Sequence, residues 1–453
     1  MPDGTARVRA PALAVRAVHV AATVAAMGAL AVPGTVRHRL RGGREAARAH
    51  LYRRLTALLM ALGPAFVKAG QVLGTRRDVL PAGLCDELSR LQDSVAPVSP
   101  AETRRALREV YARAPCAGGA DGGPGRGARD PGRAGAPPFA EFDERAVAAG
   151  SVACVHAAAL PGGRRVAVKL RRPGIERVMR DDLALIRAGA RVAARVPPFR
   201  GMPVTEVVDN MCEAVLGQLD FTREAASLSR LRDTLAPVPR VWVPRVHPDA
   251  CRPACIVMDF IPDLDIGTAA GCPPAMRRRF AESALTAVYQ MLFVTGFVHC
   301  DMHPGNLYFT RDGQVVVLDA GFSVQLTDRL RRLFAEFFLN MATGRGRRCA
   351  EIVVESSVGV RPDADLEGFL VRMADLVERS HGLPAREFSL IAFAAEMFDL
   401  QRRFGIHAAA ELIFPLLSLL VIEGAVRDLD PGIDFQETAK PVLNRGLFGA
   451  RAG

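Results

Sequence analysis

Three oxygen-bearing side chains stand out in the stretch FVHCDMHPGNLYFTRDGQVVVLDAG, residues 297–321. They are Asp301, Asn306 five positions later, and Asp319. Between the last two lie two apolar runs, Leu307 to Phe309 and Val315 to Leu318, separated by Arg311-Asp312-Gly313. Two apolar runs joined by a tight Asp-Gly turn predict a β-hairpin. Closing that hairpin returns Asn306 to the side of Asp319. Two carboxylates and an amide oxygen are hard ligands. They suit magnesium, which takes few protein ligands and completes its shell with phosphate oxygens. The spacing is that of a phosphoryl-transfer catalytic loop followed by its metal-binding loop. In that scheme Asp301 orients or deprotonates the nucleophile, and Asn306 and Asp319 hold Mg2+ on the phosphates of ATP. The competing reading is a surface loop whose Asp and Asn only cap turns. It leaves the joint fit of three positions without a reason.

The elements that must position these groups are legible on both sides. Ala148 to Val152 leads into ACVHAAAL, then Pro161-Gly162-Gly163, then RVAVKL, which predicts strand, tight turn, strand. Lys169 lies on the second strand in V-A-V-K, where kinases carry the lysine that binds phosphates. A Gly-rich phosphate loop is missing, and an alanine-rich loop (Ala149, Gly150, Ser151, Val152) stands in its place. Gly150 is expected to loosen that loop, because glycine tolerates positive φ and brings backbone N–H groups close to phosphate. A helix is predicted over residues 204–235, with Asp220 and Glu224 four apart on one face. Like charges so placed repel by roughly 0.2–0.5 kcal/mol unless a cation sits between them. Lys169 and Lys68 are the candidates, and Glu224 is the expected partner of Lys169. Strands are predicted over 243–247 and 254–260. Met258 to Ile261 occupies the place of the strand that hydrogen-bonds adenine in kinases, and a buried core strand fits equally well. A helix over 274–295 delivers the catalytic loop. Helices follow over 326–342, 364–381, 387–404 and 408–426. The last is strongly apolar but contains Pro415, and reads as a core helix rather than a membrane span.

The string H-x-D-x-H-P-G-N at residues 299–306 resembles the UbiB/AarF family of atypical protein-kinase-like proteins. So does FVKAGQVLGTRRDVLP at 66–81, which carries K-x-G-Q followed by R-x-D-x-L-P. The resemblance covers residues from about 50 to 435. It implies an α+β, two-lobed protein-kinase-like fold with an N-terminal helical extension over the active site. It also implies Mg-ATP binding with slow hydrolysis or phosphoryl transfer. By analogy it implies support of isoprenoid-quinone or other lipid metabolism at a membrane, with a lipid or quinone precursor as ligand. In the family, Lys68 and Gln71 would reach the nucleotide pocket and restrict access. Four departures are visible. Gly150 interrupts the family's A-A-A-S, and Gln218-Leu219-Asp220 replaces E-x-D, so Gln218 can meet Lys68 only by a hydrogen bond. Ala320 replaces the phenylalanine of the metal loop, and Cys300 the arginine of H-R-D. Without that arginine or an A-P-E segment, control by a phosphorylated activation loop has no receiver. Two other activities fit the motifs: a kinase with a dedicated protein or small-molecule substrate, and a non-enzymatic nucleotide-gated binding module.

Composition narrows the partners. The 453 residues are 49% hydrophobic and 24% charged, enough for two or three domains with a sizeable core. The net charge of +11 admits nucleic acid or an anionic membrane. Aromatics are only 6% and no zinc-finger spacing occurs, so nucleic acid is not an expected partner. Nine scattered cysteines, including a lone Cys251-x-x-x-Cys255, suggest reduced thiols in a cytoplasmic setting. Residues 1–35 are basic, then apolar from Ala17 to Val32, a run that looks short and weak for a bilayer span. Seven arginines follow between Arg37 and Arg54. An apolar face beside arginines suits the inner face of an anionic membrane, and a solvated basic helix fits as well. The expected division is a 1–50 segment with candidate membrane contact and a 51–115 helical extension. A 116–138 Gly/Pro-rich linker, a 139–261 N-lobe, a 262–435 helical C-lobe and a 436–453 tail complete it.

Overall fold

The computed structural model describes residues 10–74, 81–88, 91, 97–112, 136–195, 204–302, 305–383 and 386–449. Two compact units emerge: 1–222 with 247–257, and 223–246 with 258–453. Most of the linker expected at 116–138, the R-x-D-x-L part of the first signature and the His303-Pro304 pair lie outside the described residues.

The first unit opens with α1 (Ala10–Leu62), whose alanine-rich run favours helix. Gly43 breaks it at φ 76° and ψ −167°, a left-handed step that glycine makes without a Cβ clash. The chain doubles back there. His38 stacks on His50 with centroids 4.6 Å apart, and Arg16 donates from Nη2 to the Leu62 carbonyl at 2.6 Å. The same guanidinium grips the fully buried Asp182 through two bonds, at 2.6 and 2.9 Å. Next come α2 (Pro64–Gly74), α3 (Ala82–Leu88) and α4 (Pro100–Ala112). Proline opens two of them at the first helical position, where its missing N–H costs nothing.

The strands β1 (Glu141–Ala149), β2 (Ala153–Ala159) and β3 (Arg165–Arg171) form an antiparallel meander. The β2–β3 turn holds Gly162 at φ 94° and Gly163 at φ 81°, the pair of positive φ values that a tight hairpin turn demands. Helices α5 (Ile175–Ala193) and α6 (Val204–Gly217) follow. Three clusters of buried side chains pack in the unit, one of them joining Val67 of α2 to Leu88 and Leu91. Leu107 and Tyr111 of α4 pack on Val166, Val168 and Leu170 of the sheet. Ala65 and Ala69 of α2 pack on Met179 and Leu183 of α5 and on Met211 and Val215 of α6.

The predicted 204–235 helix is two helices. The chain breaks at 218–220 and restarts as α7 (Phe221–Leu235), with the Asp220 carboxylate accepting the Thr222 N–H at 3.1 Å. An Asp that offers its side chain to the backbone two residues on starts a helix rather than continuing one. Asp220 and Glu224 therefore do not share a continuous helical face. The former is exposed and the latter is buried.

Short strands dominate the start of the second unit. β4 (Val241–Trp242) is shorter than the predicted strand and lies earlier. It pairs in parallel with β8, Val315–Val317, which itself pairs antiparallel with β7, Leu307–Phe309. β5 spans Cys255–Asp259 and crosses the boundary between the units. Of the predicted 243–247 strand only a bridge from Val246 to Met258 remains. Helix α8 (Pro274–Tyr289) passes into a π-type turn over Gln290–Thr295 and ends on Gly296 at φ 67°. β6 (Phe297–His299) then pairs antiparallel with β9 (Ser323–Gln325).

The rest is mainly helical. α9 (Asp328–Ala342), α10 (Gly346–Glu355) and α11 (Leu366–Ser380) precede α12 (Leu390–Phe404) and α13 (Ala410–Leu429). A ribbon of β10 (Ser357–Val360) and β11 (Ile406–Ala408) links them. Thr327 and Ser389 cap α9 and α12, so both helices start slightly later than predicted. α13 buries Leu419, Ile422 and Val426 completely, as a core helix should. A further helix, α14 (Phe435–Phe448), occupies what reads in sequence as a tail, and the Tyr289 hydroxyl donates to its Phe435 carbonyl at 2.8 Å.

Candidate functional site

In the second unit the β7–β8 hairpin closes as the sequence predicts, with Leu307 opposite Val317. Gly313 takes φ 90° in its turn. The Leu318 N–H donates to the Asn306 carbonyl at 2.8 Å, which fixes the Asn306 backbone one residue from Asp319. The Asn306 side chain donates from Nδ2 to the Asp301 carbonyl at 2.9 Å. One of its two amide N–H groups is thereby committed to the 301–306 loop, and the oxygen is the end of such a side chain that can accept or ligate.

His299 ties the two loops together, a role that its place in H-x-D signals but that spacing alone does not disclose. The ring is fully buried. The Asp301 N–H donates to Nδ1 at 3.0 Å, so that nitrogen is bare and Nε2 carries the proton. Nε2 in turn donates to the Asp319 carbonyl at 3.0 Å, and Ser418 Oγ donates to the His299 carbonyl at 2.7 Å. Burial lowers the His299 pKa, against the charges of Asp301 and Asp319, which act to raise it. Burial likewise lowers that of His156 in the first unit. As pH falls, the unfolded chain takes up these protons first. Stability should be full above about 6.5, the ordinary histidine value, and fall through the window below it by up to about 1.4 kcal/mol per pH unit for each ring. Urea midpoints measured on either side of that value test this, and equal midpoints would contradict it.

Asp319 itself sits at φ 60°, a left-handed conformation uncommon outside glycine. Gly321 N–H donates to its Oδ1 at 2.6 Å, which holds the carboxylate in place. A Cβ on residue 321 would stand 3.1 Å from that oxygen and 3.7 Å from the Glu224 carboxylate. Glu224, in the first turn of α7, is therefore turned toward the metal loop. Ala320, at the position that carries phenylalanine in kinases, is buried in the core. Cys300 is buried as a small filler, and burial pushes its thiol pKa up. The donor set fits magnesium. Among the described residues no three His, Cys, Asp or Glu side chains form a metal cluster. One carboxylate and one amide oxygen leave most of the coordination shell to phosphate and water, as magnesium prefers.

In the first unit Lys169 lies on β3 opposite Val155, with Nζ 5.4 Å from the centroid of the Phe221 ring. The 149–152 loop is a tight turn in which Gly150 N–H donates to the Ala153 carbonyl at 2.9 Å. Arg172 braces it, donating from Nε to the Gly150 carbonyl at 2.8 Å. The expectation for Gly150 needs correction. It is not among the glycines at positive φ, its N–H is already engaged, and a Cβ there would meet only the Ala153 oxygen at an ordinary 3.6 Å. Gly150→Ala should therefore fold normally and gain about 0.4–1 kcal/mol by restricting the unfolded chain. A thermal melt below that of the parent would refute this. Ser151 is buried with no hydrogen-bond partner for its Oγ.

The K-x-G-Q element lies on α2. Gly70 lies in close approach, where a Cβ would press on the Leu91 side chain at 2.5 Å and the Leu59 side chain at 2.8 Å. Gln71 Nε2 donates to the Leu91 carbonyl at 3.0 Å. Lys68 is half-buried on the same helix, and Gln218 is half-buried just past the end of α6. Met258 is buried on β5, so the core-strand reading of that position holds.

Known proteins resemble this chain in sequence and fold. Residues 129–353 match the ABC1 atypical kinase-like domain, and residues 373–434 match the UbiB helical domain. The chain is 32% identical over 402 residues to the probable protein kinase UbiB of Azotobacter vinelandii, covering 87% of this chain and 71% of that one. It is 32% identical over 403 residues to the protein of the same name from Aeromonas hydrophila, covering 87% and 70%. Among solved structures, the complex of Rv3197 with erythromycin from Mycobacterium tuberculosis superposes with a TM-score of 0.56 over 87% of this chain and 90% of that one. At 19% identity that likeness speaks for the fold alone.

Proposed function

Since the chain belongs to the UbiB family of ABC1 atypical kinase-like proteins, we propose that it binds Mg-ATP and slowly hydrolyses it or transfers its terminal phosphoryl group. The observation that carries this reading is the tie between the two loops. Asn306, Asp301 and Asp319 are bonded through backbone, His299 and Gly321 into one rigid oxygen-rich set. Asn306 and Asp319 would hold magnesium, with Glu224 beside them. Bound magnesium neutralises phosphate charge as it develops. Asp301 accepts the proton of the attacking water or hydroxyl, or orients it. Lys169 and the Ala149 to Val152 loop take the phosphates, where the orphan hydroxyl of Ser151 is a donor in search of an acceptor. Lys68, Gln71 and Gln218 form the clamp that restricts access, with β5 near Met258 for the adenine. The 51–115 extension, the 116–138 linker and the lobes at 139–261 and 262–435 are the proposed division of labour.

The role proposed is support of isoprenoid-quinone or other lipid metabolism, with a lipid or quinone precursor as ligand and ATP as the nucleotide. The setting is cytoplasmic, peripheral at the inner face of the cell membrane. One described helix, within residues 14–62, is long and apolar enough to cross a membrane by length and composition, more than the short apolar run suggests. Yet Arg16 at its start is bound to buried Asp182. Val15, Val18, Val32 and Leu40 are all well exposed, an outward apolar face suited to lying on a membrane surface. Phosphate release by the purified protein, with and without anionic vesicles, tests the whole reading. Replacing those four side chains by glutamine should abolish vesicle co-sedimentation and leave the fold intact, because Arg16 is untouched. Unchanged sedimentation would exclude this face as the anchor.

A further inference from the structure

β6 ends on His299, and its ladder with β9 continues through the Cys300 N–H, which donates to the Phe322 carbonyl at 2.9 Å. Both backbone groups of His299 turn away from β9. Its N–H meets the Met291 thioether at 3.5 Å, a weak acceptor. Its carbonyl accepts the Ser418 hydroxyl at 2.7 Å, the stronger of the two anchors. Ser418 is fully buried on α13, 119 positions away in the chain. A hydroxyl inside a helix commonly bonds back to the carbonyl four residues earlier. Ser229, Thr286 and Ser380 of the same unit all do so. Ser418 instead gives its one proton to another element. The two partners also lie in different family matches, His299 in the kinase-like domain and Ser418 in the helical domain.

We propose that Ser418 is a positioning residue. Through the His299 peptide it sets the ring that joins the Asp301 N–H to the Asp319 carbonyl, which makes α13 part of the apparatus that aims the catalytic loop. Its effect on rate rests on the phosphoryl chemistry proposed above. The Asp319 carboxylate has a local anchor in the Gly321 N–H. Loss of the Ser418 bond should therefore disturb Asp301 more than the metal ligand, and lower turnover more than Mg-ATP affinity. Misplacement by about 1 Å can cost roughly 10²-fold, so the smaller shift that one lost hydrogen bond allows should cost about tenfold.

Steady-state phosphate release by the full chain tests this. Ser418→Ala should lower kcat about tenfold and hold the KM for Mg-ATP within about twofold, the mark of an interaction that matters in the transition state. Ser418→Cys keeps the size with a weaker donor and should fall between. Ser380→Ala, which loses only a bond back to its own helix, should melt lower and keep both constants. Amide exchange read by mass spectrometry needs no nucleotide. In Ser418→Ala residues 297–302 should exchange about tenfold faster while α11 keeps its protection, whereas a general loss of stability would speed both. A parent that releases no phosphate would sink the phosphoryl reading, and exchange would then decide on Ser418 alone. An unchanged kcat in Ser418→Ala beside an active parent, or exchange at 297–302 that rises no more than elsewhere, would overturn the positioning role.

Discussion

Asp319→Asn should abolish the magnesium-dependent stabilisation of the protein by ATP, while Asp301→Asn should keep that stabilisation and lose phosphate release. The contrast follows from where each side chain is held. Asp319, the proposed metal ligand, sits at φ 60°, and asparagine is one of the few residues that tolerate that conformation. An asparagine side chain there can still accept the Gly321 N–H, so the loop stays folded and only the charge goes. A ligand at one hundred times its dissociation constant stabilises by about 2.7 kcal/mol, so the parent should melt clearly higher with Mg-ATP than without it. The Asp319→Asn variant should not. Asp301 is held through its backbone, by His299 on one side and Asn306 on the other, and both bonds survive Asp301→Asn. What disappears is the base or water-orienting carboxylate, with a loss of about 10²–10⁴ in rate. Unchanged phosphate release in both variants would end the ATPase reading. ATP stabilisation without any phosphate release from the parent would favour the nucleotide-gated binding module instead.

The parts of this molecule that sequence discloses are those where one local rule decides. The β7–β8 hairpin is read from two apolar runs and an Asp-Gly turn, and Gly313 takes the positive φ that the turn needs. Lys169 is placed on its strand by the paired positive φ of Gly162 and Gly163. Failures occur where two rules compete. Residues 204–235 keep helical periodicity throughout, yet Asp220 offers its carboxylate to the Thr222 N–H and ends one helix while starting the next. Gly150 looks like a phosphate-loop glycine by analogy, but its conformation is set by Arg172 and the Ala153 carbonyl, partners no local pattern announces. α14 lies past the 50–435 stretch that the family resemblance covers, although Phe435, Ala439, Val442 and Leu443 recur at helical spacing. It is anchored by Tyr289, 146 positions away in the chain, which hydrogen-bonds to its first residue. His299 is visible as a motif residue, but its work as a bridge needs the distance between Nε2 and the Asp319 carbonyl.

Glu423→Ala should destabilise the second unit by about 3–5 kcal/mol, the range for stripping one partner from a buried ion pair. Glu423 is 1% exposed on α13 and serves three donors. Its Oε1 accepts the Leu390 N–H at 3.0 Å and the Arg427 Nε–H at 3.0 Å, and its Oε2 accepts the Ile391 N–H at 2.9 Å. The first two N–H groups of α12 have no partner within their own helix. Ser389 Oγ covers only the next, Ala392, at 3.2 Å. Alanine at 423 thus leaves two backbone donors and one guanidinium without their acceptor. Glu423→Gln keeps the shape and one oxygen, so about 1–3 kcal/mol should be lost, the cost of unmet hydrogen bonds rather than of an isolated charge. Arg427→Met should fall between them, because Arg427 also packs 5.0 Å from the Phe435 ring centroid and donates to the Phe388 carbonyl. Urea unfolding followed by far-UV circular dichroism reads all three. A loss under about 1 kcal/mol for the alanine variant would mean that water reaches the α12 terminus, and that this carboxylate is a surface cap rather than the join between α12 and α13.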